Sequence, residues 1–200
     1  MIARGVRLPS LARLRRWPAA FAGLRAVVWG DFVLDEYWSC RTRRVSREAP
    51  VLVLDYESRS TQGGGAANAA LNLAALGARV TAVGWIGRDA HGGELRAVLK
   101  AAGVGTAGML EHPRGATVVK TRIVAGDRHT SRQQVVRVDR GAAFACGAAS
   151  QRRLLAAVDE ATREAQAIVL SDYGYDTVTP ALARSALRRW RSRRITVGLD

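Results

Sequence analysis

Lysine is almost missing from this chain: Lys100 and Lys120 stand alone among 31 basic residues, and the other 29 are Arg. Acids are also few, 17 in 200 residues, which leaves a formal net charge of +14. A charge of that size raises nucleic acid or an anionic membrane as a partner. Replacement of nearly all Lys by Arg, beside so much Ala and Gly, is better explained by GC-rich codon usage than by a binding surface, so no specific nucleic-acid partner is expected. The densest run, six Arg within residues 184–194, reads as a solvated helix face. Cysteine is scarce too: Cys40 and Cys146 are 106 positions apart with no CxxC, which excludes a disulfide framework and a zinc site and suits a reducing cytoplasm. No apolar run approaches the roughly 18 residues of a spanning helix, so no membrane partner is expected. Histidine occurs only as His91, His112 and His129, without metalloenzyme spacing, and each is expected on the surface or in a loop.

What remains is an ordinary globular composition, 48% hydrophobic and 24% charged with a mean hydropathy of -0.05. Residues 1–24 form a basic extension. Leu8, Leu11, Leu14 and Trp17 recur every three residues there, which fits a short amphipathic helix closed by Pro18 and packed on the domain, with a transit peptide as the other reading. From residue 25 strands and helices alternate. Strands are expected at 26–29, 51–56, 80–86, 117–124, 133–139, 167–170 and 195–199, and helices at 66–76, 94–102, 151–165 and 180–190. Strands separated by helices of this length give βαβ units and a mainly parallel sheet, an α/β fold. The strand at 195–199 is of the buried type and the sequence stops on it, before any helix that would cover its second face, so the chain is expected to be cut in mid-fold on its C-terminal side.

Ligands of open α/β sheets sit beyond the carboxyl ends of the strands. Three features fall there. Asp31 and Asp35 follow the first strand; a carboxylate offers about four lone-pair sites, enough for the neighbouring hydroxyls of a polyol. Asp31 reads equally as a turn or helix cap. The run Gly63, Gly64, Gly65 opens a helix and lets a ligand approach backbone N–H groups, with Asn68 one turn in. It is not a Walker loop, because no Lys-Ser or Lys-Thr follows, and Asn68 stands where a dinucleotide fingerprint has Gly or Ala. The third feature is Asp172 with Tyr173, after the strand at 167–170.

Residues 63–77, GGGAANAALNLAALG, resemble the first signature of the ribokinase-like (PfkB) carbohydrate kinases, and residues 30–35 resemble their first-strand acidic motif. Residues 35–38, 42–51, 117–122, 133–139 and 170–173 are similar, in the same order, to the subgroup that phosphorylates D-glycero-β-D-manno-heptose 7-phosphate. The resemblance covers residues 25–200. It implies a three-layer α/β/α sandwich with a small β lid, its strands within about 36–60 and 115–140, that is the N-terminal portion of a sugar kinase domain using ATP and Mg2+.

By position, the resemblance assigns Asp35, Gly64, Gly65 and Asn68 to sugar hydroxyls, with Asp31 in support and Asp172 and Tyr173 at the pocket floor. Arg44 in the lid, or Lys120 and Arg122 on one strand face, would neutralise a sugar phosphate, with a plain surface role as the other reading. The family's Gly-Ala-Gly-Asp segment, which carries the catalytic Asp, is absent from the sequence, as are the nucleotide loops and the Mg2+-associated Asn-x-x-Glu. No catalytic residue and no metal ligand is therefore assigned. The expected function is the substrate half of a cytoplasmic sugar kinase acting on the anomeric hydroxyl of heptose 7-phosphate, inactive alone, with a possible homodimer through the lid. The alternatives are a non-catalytic sugar-phosphate-binding remnant and a regulatory subunit.

Overall fold

The apolar run after Arg25 becomes the centre of the molecule. In the computed structural model, which describes residues 10–11, 15–126, 131–144, 146–190 and 193–200, the chain runs through a 3-10 turn (Pro18–Phe21), β1 (Arg25–Gly30), β2 (Phe32–Val45), β3 (Leu52–Gly65), α1 (Ala66–Ala75), β4 (Arg79–Gly87), α2 (Ala90–Ala101), β5 (Gly105–His112), β6 (Val118–Gly126), β7 (Gln133–Arg140), α3 (Ala148–Ala161), β8 (Ala167–Ser171), α4 (Pro180–Trp190) and β9 (Thr196–Leu199). Five strands form a parallel sheet in the order β5-β4-β1-β8-β9. Alternation along these strands divides the core in two. Val27, Trp29, Val83, Trp85, Ile168 and Leu170 turn toward α3 and α4, against Leu154, Val158, Leu182, Ala186 and Trp190. Val28, Val80, Ala82 and Ile86 turn toward α1 and α2, against Ala66, Ala67, Ala70, Leu95 and Leu99. The result is a three-layer α/β/α sandwich.

A second sheet, β3-β2-β6-β7, rises from the first as a lid; β2 runs antiparallel to β3 and parallel to β6, and β6 antiparallel to β7. The first residues of β2, Phe32, Val33 and Leu34, are still in the core, and the strand then leaves it. The helices are bounded by local chemistry. Asp89 caps α2, its Oδ1 accepting from Gly92 N at 2.8 Å. Thr179 Oγ1 accepts from Leu182 N at 3.3 Å ahead of Pro180, which fits the first helical turn because its missing N–H is not needed there. No helix among the described residues is long and apolar enough to cross a membrane.

Several elements depart from expectation. Residues 32–45 form one long strand directly after β1, where strand periodicity gave none, and Gly63, Gly64 and Gly65 finish β3 as they lead into α1 at Ala66. Residues 105–112 form β5, which the Gly, Ala and Thr content had hidden. The Asp89 cap starts α2 at Ala90, four positions before the expected Glu94. α3 ends at Ala161, where the Thr162 hydroxyl donates back to Val158 O at 2.8 Å. His112, expected at the surface, is buried with Trp85 and Phe144, ring centroids 5.3 and 5.4 Å away. His129 and most of the expected N-terminal helix lie outside the described residues, and Pro18 opens a 3-10 turn. The strand expected to be buried at 195–199 has only β8 beside it, which leaves Val197 38% and Leu199 83% exposed.

Candidate functional site

The lid, the first turn of α1 and the segment after β8 border a cleft of about 260 Å³, lined by Val33, Asp35, Gln62, Gly63, Gly64, Gly65, Asn68, Lys120, Arg122 and Tyr173. Strand register assembles it. Asp35 pairs across β2 and β6 with Lys120, and Val33 pairs across β2 and β3 with Gly64. Arg122 stands two residues past Lys120 on the same strand, a diagonal neighbour of Asp35 within reach of a long side chain. Its Nη1 donates to Asp35 Oδ1 at 2.6 Å, and its guanidinium lies 5.4 Å from the centre of the Tyr37 ring. The Asp35 hydrogen bond pushes the Arg122 guanidinium above its ordinary range, against the effect of burial. Lys120 Nζ lies 5.8 Å over the Tyr175 ring.

Glycine is required on the opposite wall for two different reasons. A Cβ at Gly64 would stand 2.5 Å from Asp35 Oδ2, so only hydrogen lets β3 pass the carboxylate. Gly65 has φ 54 and ψ -133, a conformation open essentially to glycine alone, and turns the chain from β3 into α1. No side chain caps α1, so its first turn faces the cleft beside Asn68, whose Oδ1 accepts from Asn72 Nδ2 at 3.2 Å.

Asp31 is placed differently from Asp35. It is buried and does not line the cleft: Oδ2 accepts from the backbone N–H groups of Tyr173 at 2.8 Å and Tyr175 at 3.0 Å, and Oδ1 from Thr177 at 3.2 Å. Its own carbonyl accepts from Ala66 N at 2.9 Å. Asp31 thus fixes both the 173–177 loop and the start of α1, which delivers Tyr173 to the cleft wall. Asp172 is exposed and its Oδ1 accepts from Gly174 N at 3.0 Å. Arg44 lies nine residues beyond Asp35 on β2, about 30 Å at strand rise, and donates to Val45 O at 3.2 Å. Neither Asp172 nor Arg44 lines the cleft.

Sequence reading missed the other face of the lid. Glu36 is buried, and its carboxylate accepts from Arg59, from the Thr121 hydroxyl and from Arg140. Arg59 also holds Glu94 of α2 through paired contacts at 3.0 and 2.8 Å, with the Thr61 hydroxyl donating to the same carboxylate at 2.7 Å. This network ties the lid to the body. Burial alone would raise the Glu36 pKa, but the Thr121 and Arg59 hydrogen bonds outweigh it and hold it down at about 2. Among the described residues no three His, Cys, Asp or Glu side chains gather as a metal site.

A parallel sheet between two helical layers, with a four-stranded lid over a glycine-walled cleft, is the architecture of the ribokinase-like sugar kinases. A carbohydrate kinase from Agrobacterium tumefaciens superposes with a TM-score of 0.63 at 19% identity, over 88% of this chain and 53% of that one. An Arabidopsis thaliana ribokinase complexed with ribose and ATP gives 0.56 at 18% identity, over 89% and 53%. The chain belongs to the pfkB family of carbohydrate kinases, whose model matches residues 26–192. It is 37% identical over 177 residues to the bifunctional protein HldE of Geobacter metallireducens, covering 88% of this chain and 35% of that protein. It is 40% identical over 170 residues to HldE of Nitrosococcus oceani, covering 84% and 34%. The chain thus spans about a third of the length of these curated relatives.

Proposed function

We propose that this chain is the sugar-phosphate-binding portion of a cytoplasmic kinase that phosphorylates heptose 7-phosphate at the anomeric hydroxyl. The observation that carries the reading is the cleft itself: a carboxylate acceptor, Asp35, and two cations, Lys120 and Arg122, project from one face of the lid toward a wall of glycine backbone. Such a set offers an acceptor to hydroxyls and, directly beside it, two cations to a phosphate. The ordered similarity to HldE proteins supports a heptose as the sugar.

ATP and Mg2+ are the co-substrate and metal this family membership implies. This sequence has no Gly-Ala-Gly-Asp segment, and no three metal-ligating side chains gather among the described residues, so no residue here is given a role toward either. What these residues do is bind and orient the acceptor. Asp35 accepts from its hydroxyls, the lid covers it from water, and Asp31 keeps Tyr173 against it. The lid is also the proposed homodimer surface, because β7 is one of its two edge strands and leaves Val135, Val136 and Val138 exposed.

Calorimetric titration with heptose 7-phosphate tests the reading. Saturable binding is expected, and Asp35→Asn is expected to weaken it by about 1.5–3 kcal/mol, the scale of a hydrogen bond to a charged group. Equal affinity of the two proteins would remove Asp35 from the site and defeat the proposal.

A further inference from the structure

Among the described residues Asp35 is the only carboxylate lining the cleft, and in this structure it already has a partner. Arg122 Nη1 holds Oδ1 at 2.6 Å, and the pair is largely withdrawn from water, with side-chain exposures of 21% for Arg122 and 15% for Asp35. The β3 backbone closes another side, since even a methyl at Gly64 would touch Oδ2 at 2.5 Å and Oδ1 at 3.0 Å. Of the few lone-pair directions a carboxylate offers, one is therefore occupied and others face glycine backbone. Adjacent hydroxyls arriving through the cleft meet Arg122 as a competitor.

A guanidinium has a stronger alternative partner in a phosphate, which accepts two parallel hydrogen bonds and carries more charge than a carboxylate. Lys120, beside Arg122 on the same strand face and also lining the cleft, adds a second cation for that phosphate. We propose that Arg122 is the specificity switch of the cleft: without ligand it occupies Asp35, and the phosphate of a phosphorylated sugar draws it off and frees Asp35 for the hydroxyls. An unphosphorylated sugar carries nothing to draw Arg122 away and must displace it from a desolvated ion pair. The cleft thereby selects against sugars lacking a phosphate by occupying its own hydroxyl acceptor, a repulsive element of specificity in addition to the attraction for phosphate. This inference rests on the sugar-phosphate reading of the cleft.

Linkage makes the switch measurable without any mutation, because two ligands that each favour the same state must raise one another's affinity by the same factor. Unphosphorylated heptose is titrated into the full chain in chloride and in inorganic phosphate at equal ionic strength. Phosphate is expected to tighten it by about fivefold or more, within the usual range of coupling between sites. Arg122→Met is expected to abolish that enhancement. In chloride the variant should bind unphosphorylated heptose more tightly than wild type and heptose 7-phosphate more weakly. Adding Asp35→Asn to Arg122→Met should erase the gain for the unphosphorylated sugar. If Arg122→Met weakens both sugars alike, Arg122 merely orients Asp35, and the switch is overturned while the sugar-phosphate reading stands. Absence of phosphate enhancement in wild type overturns the switch even should the variant fail to fold. A wild-type chain that binds no heptose 7-phosphate overturns the reading and the switch together.

Discussion

A methyl group at position 64 would press on the carboxylate that the site depends on, at 2.5 Å from Asp35 Oδ2, and neither side can retreat easily because Gly64 is locked in register with Val33. Gly64→Ala should therefore cost about 1–3 kcal/mol of stability, as overpacking does. It should also weaken heptose 7-phosphate binding, read by urea melts and calorimetry together; unchanged affinity would show that Asp35 has room the structure does not give it. Lys120→Met tests the cation that pairs across the strands with Asp35. It should weaken heptose 7-phosphate more than unphosphorylated heptose, since only the former presents a charge to the ammonium. Asp31 makes the opposite kind of contribution, to the fold. Asp31→Ala strands the N–H groups of Tyr173, Tyr175 and Thr177, each an orphaned donor worth about 1–3 kcal/mol, so the melting temperature should fall by far more than in Asp35→Asn. A melt equal to that of Asp35→Asn would contradict the assignment of Asp31 to the loop.

The strands of the lid are held to helix α2 by a chain of charges that titrates. Glu36 has its pKa depressed from 4.5 to about 2, and Glu94 and Asp89 are shifted in the same direction. A group whose folded pKa is depressed contributes stability that is complete above its unfolded pKa and is lost as pH falls through the folded one. The lid's attachment should thus be intact above about pH 5 and weaken between there and pH 2, seen as a falling urea midpoint that Glu36→Gln flattens in part. Sequence periodicity located β1, β4, β8 and α4 because their apolar residues recur at strand or helix period, and β6 and β7 from their valine-rich stretches although polar residues interrupt them. It missed β2, whose two faces read Val33, Asp35, Tyr37 and Leu34, Glu36, Trp38: the alternation is real, but acids on both faces disguise it. The cleft residues Asp35, Gly64, Gly65, Asn68, Lys120 and Arg122 could be named in advance because they sit in ordered motifs. The Glu36, Arg59 and Glu94 network could not, since only a fold brings three scattered charges together; alternation along β2 was the one available signal that Glu36 opposes Asp35.

At the scale of the whole molecule, two properties follow from where chemistry and apolar surface lie. Phosphoryl transfer works by positioning and electrostatic stabilisation of the transferred group, and on the proposed reading the cleft of these 200 residues positions the acceptor, while the sequence holds no Gly-Ala-Gly-Asp segment. The purified 200-residue chain should show no ATP-dependent phosphorylation of heptose 7-phosphate, and product above a no-protein control would refute this. Exposed apolar side chains include Val197 and Leu199 on β9, and Val135, Val136 and Val138 on strand β7 of the lid. Exposed apolar side chains of this kind bind hydrophobic dye or a partner. If copies pair through their lids, the lid valines are covered as concentration rises while β9 is not. Dye fluorescence per chain should then fall with increasing protein concentration to a plateau above zero, in step with a rise in mass by light scattering, and Val136→Ser with Val138→Ser should abolish both concentration dependences. Concentration-dependent dye release without a change in mass would place the loss inside the monomer and defeat pairing through the lid.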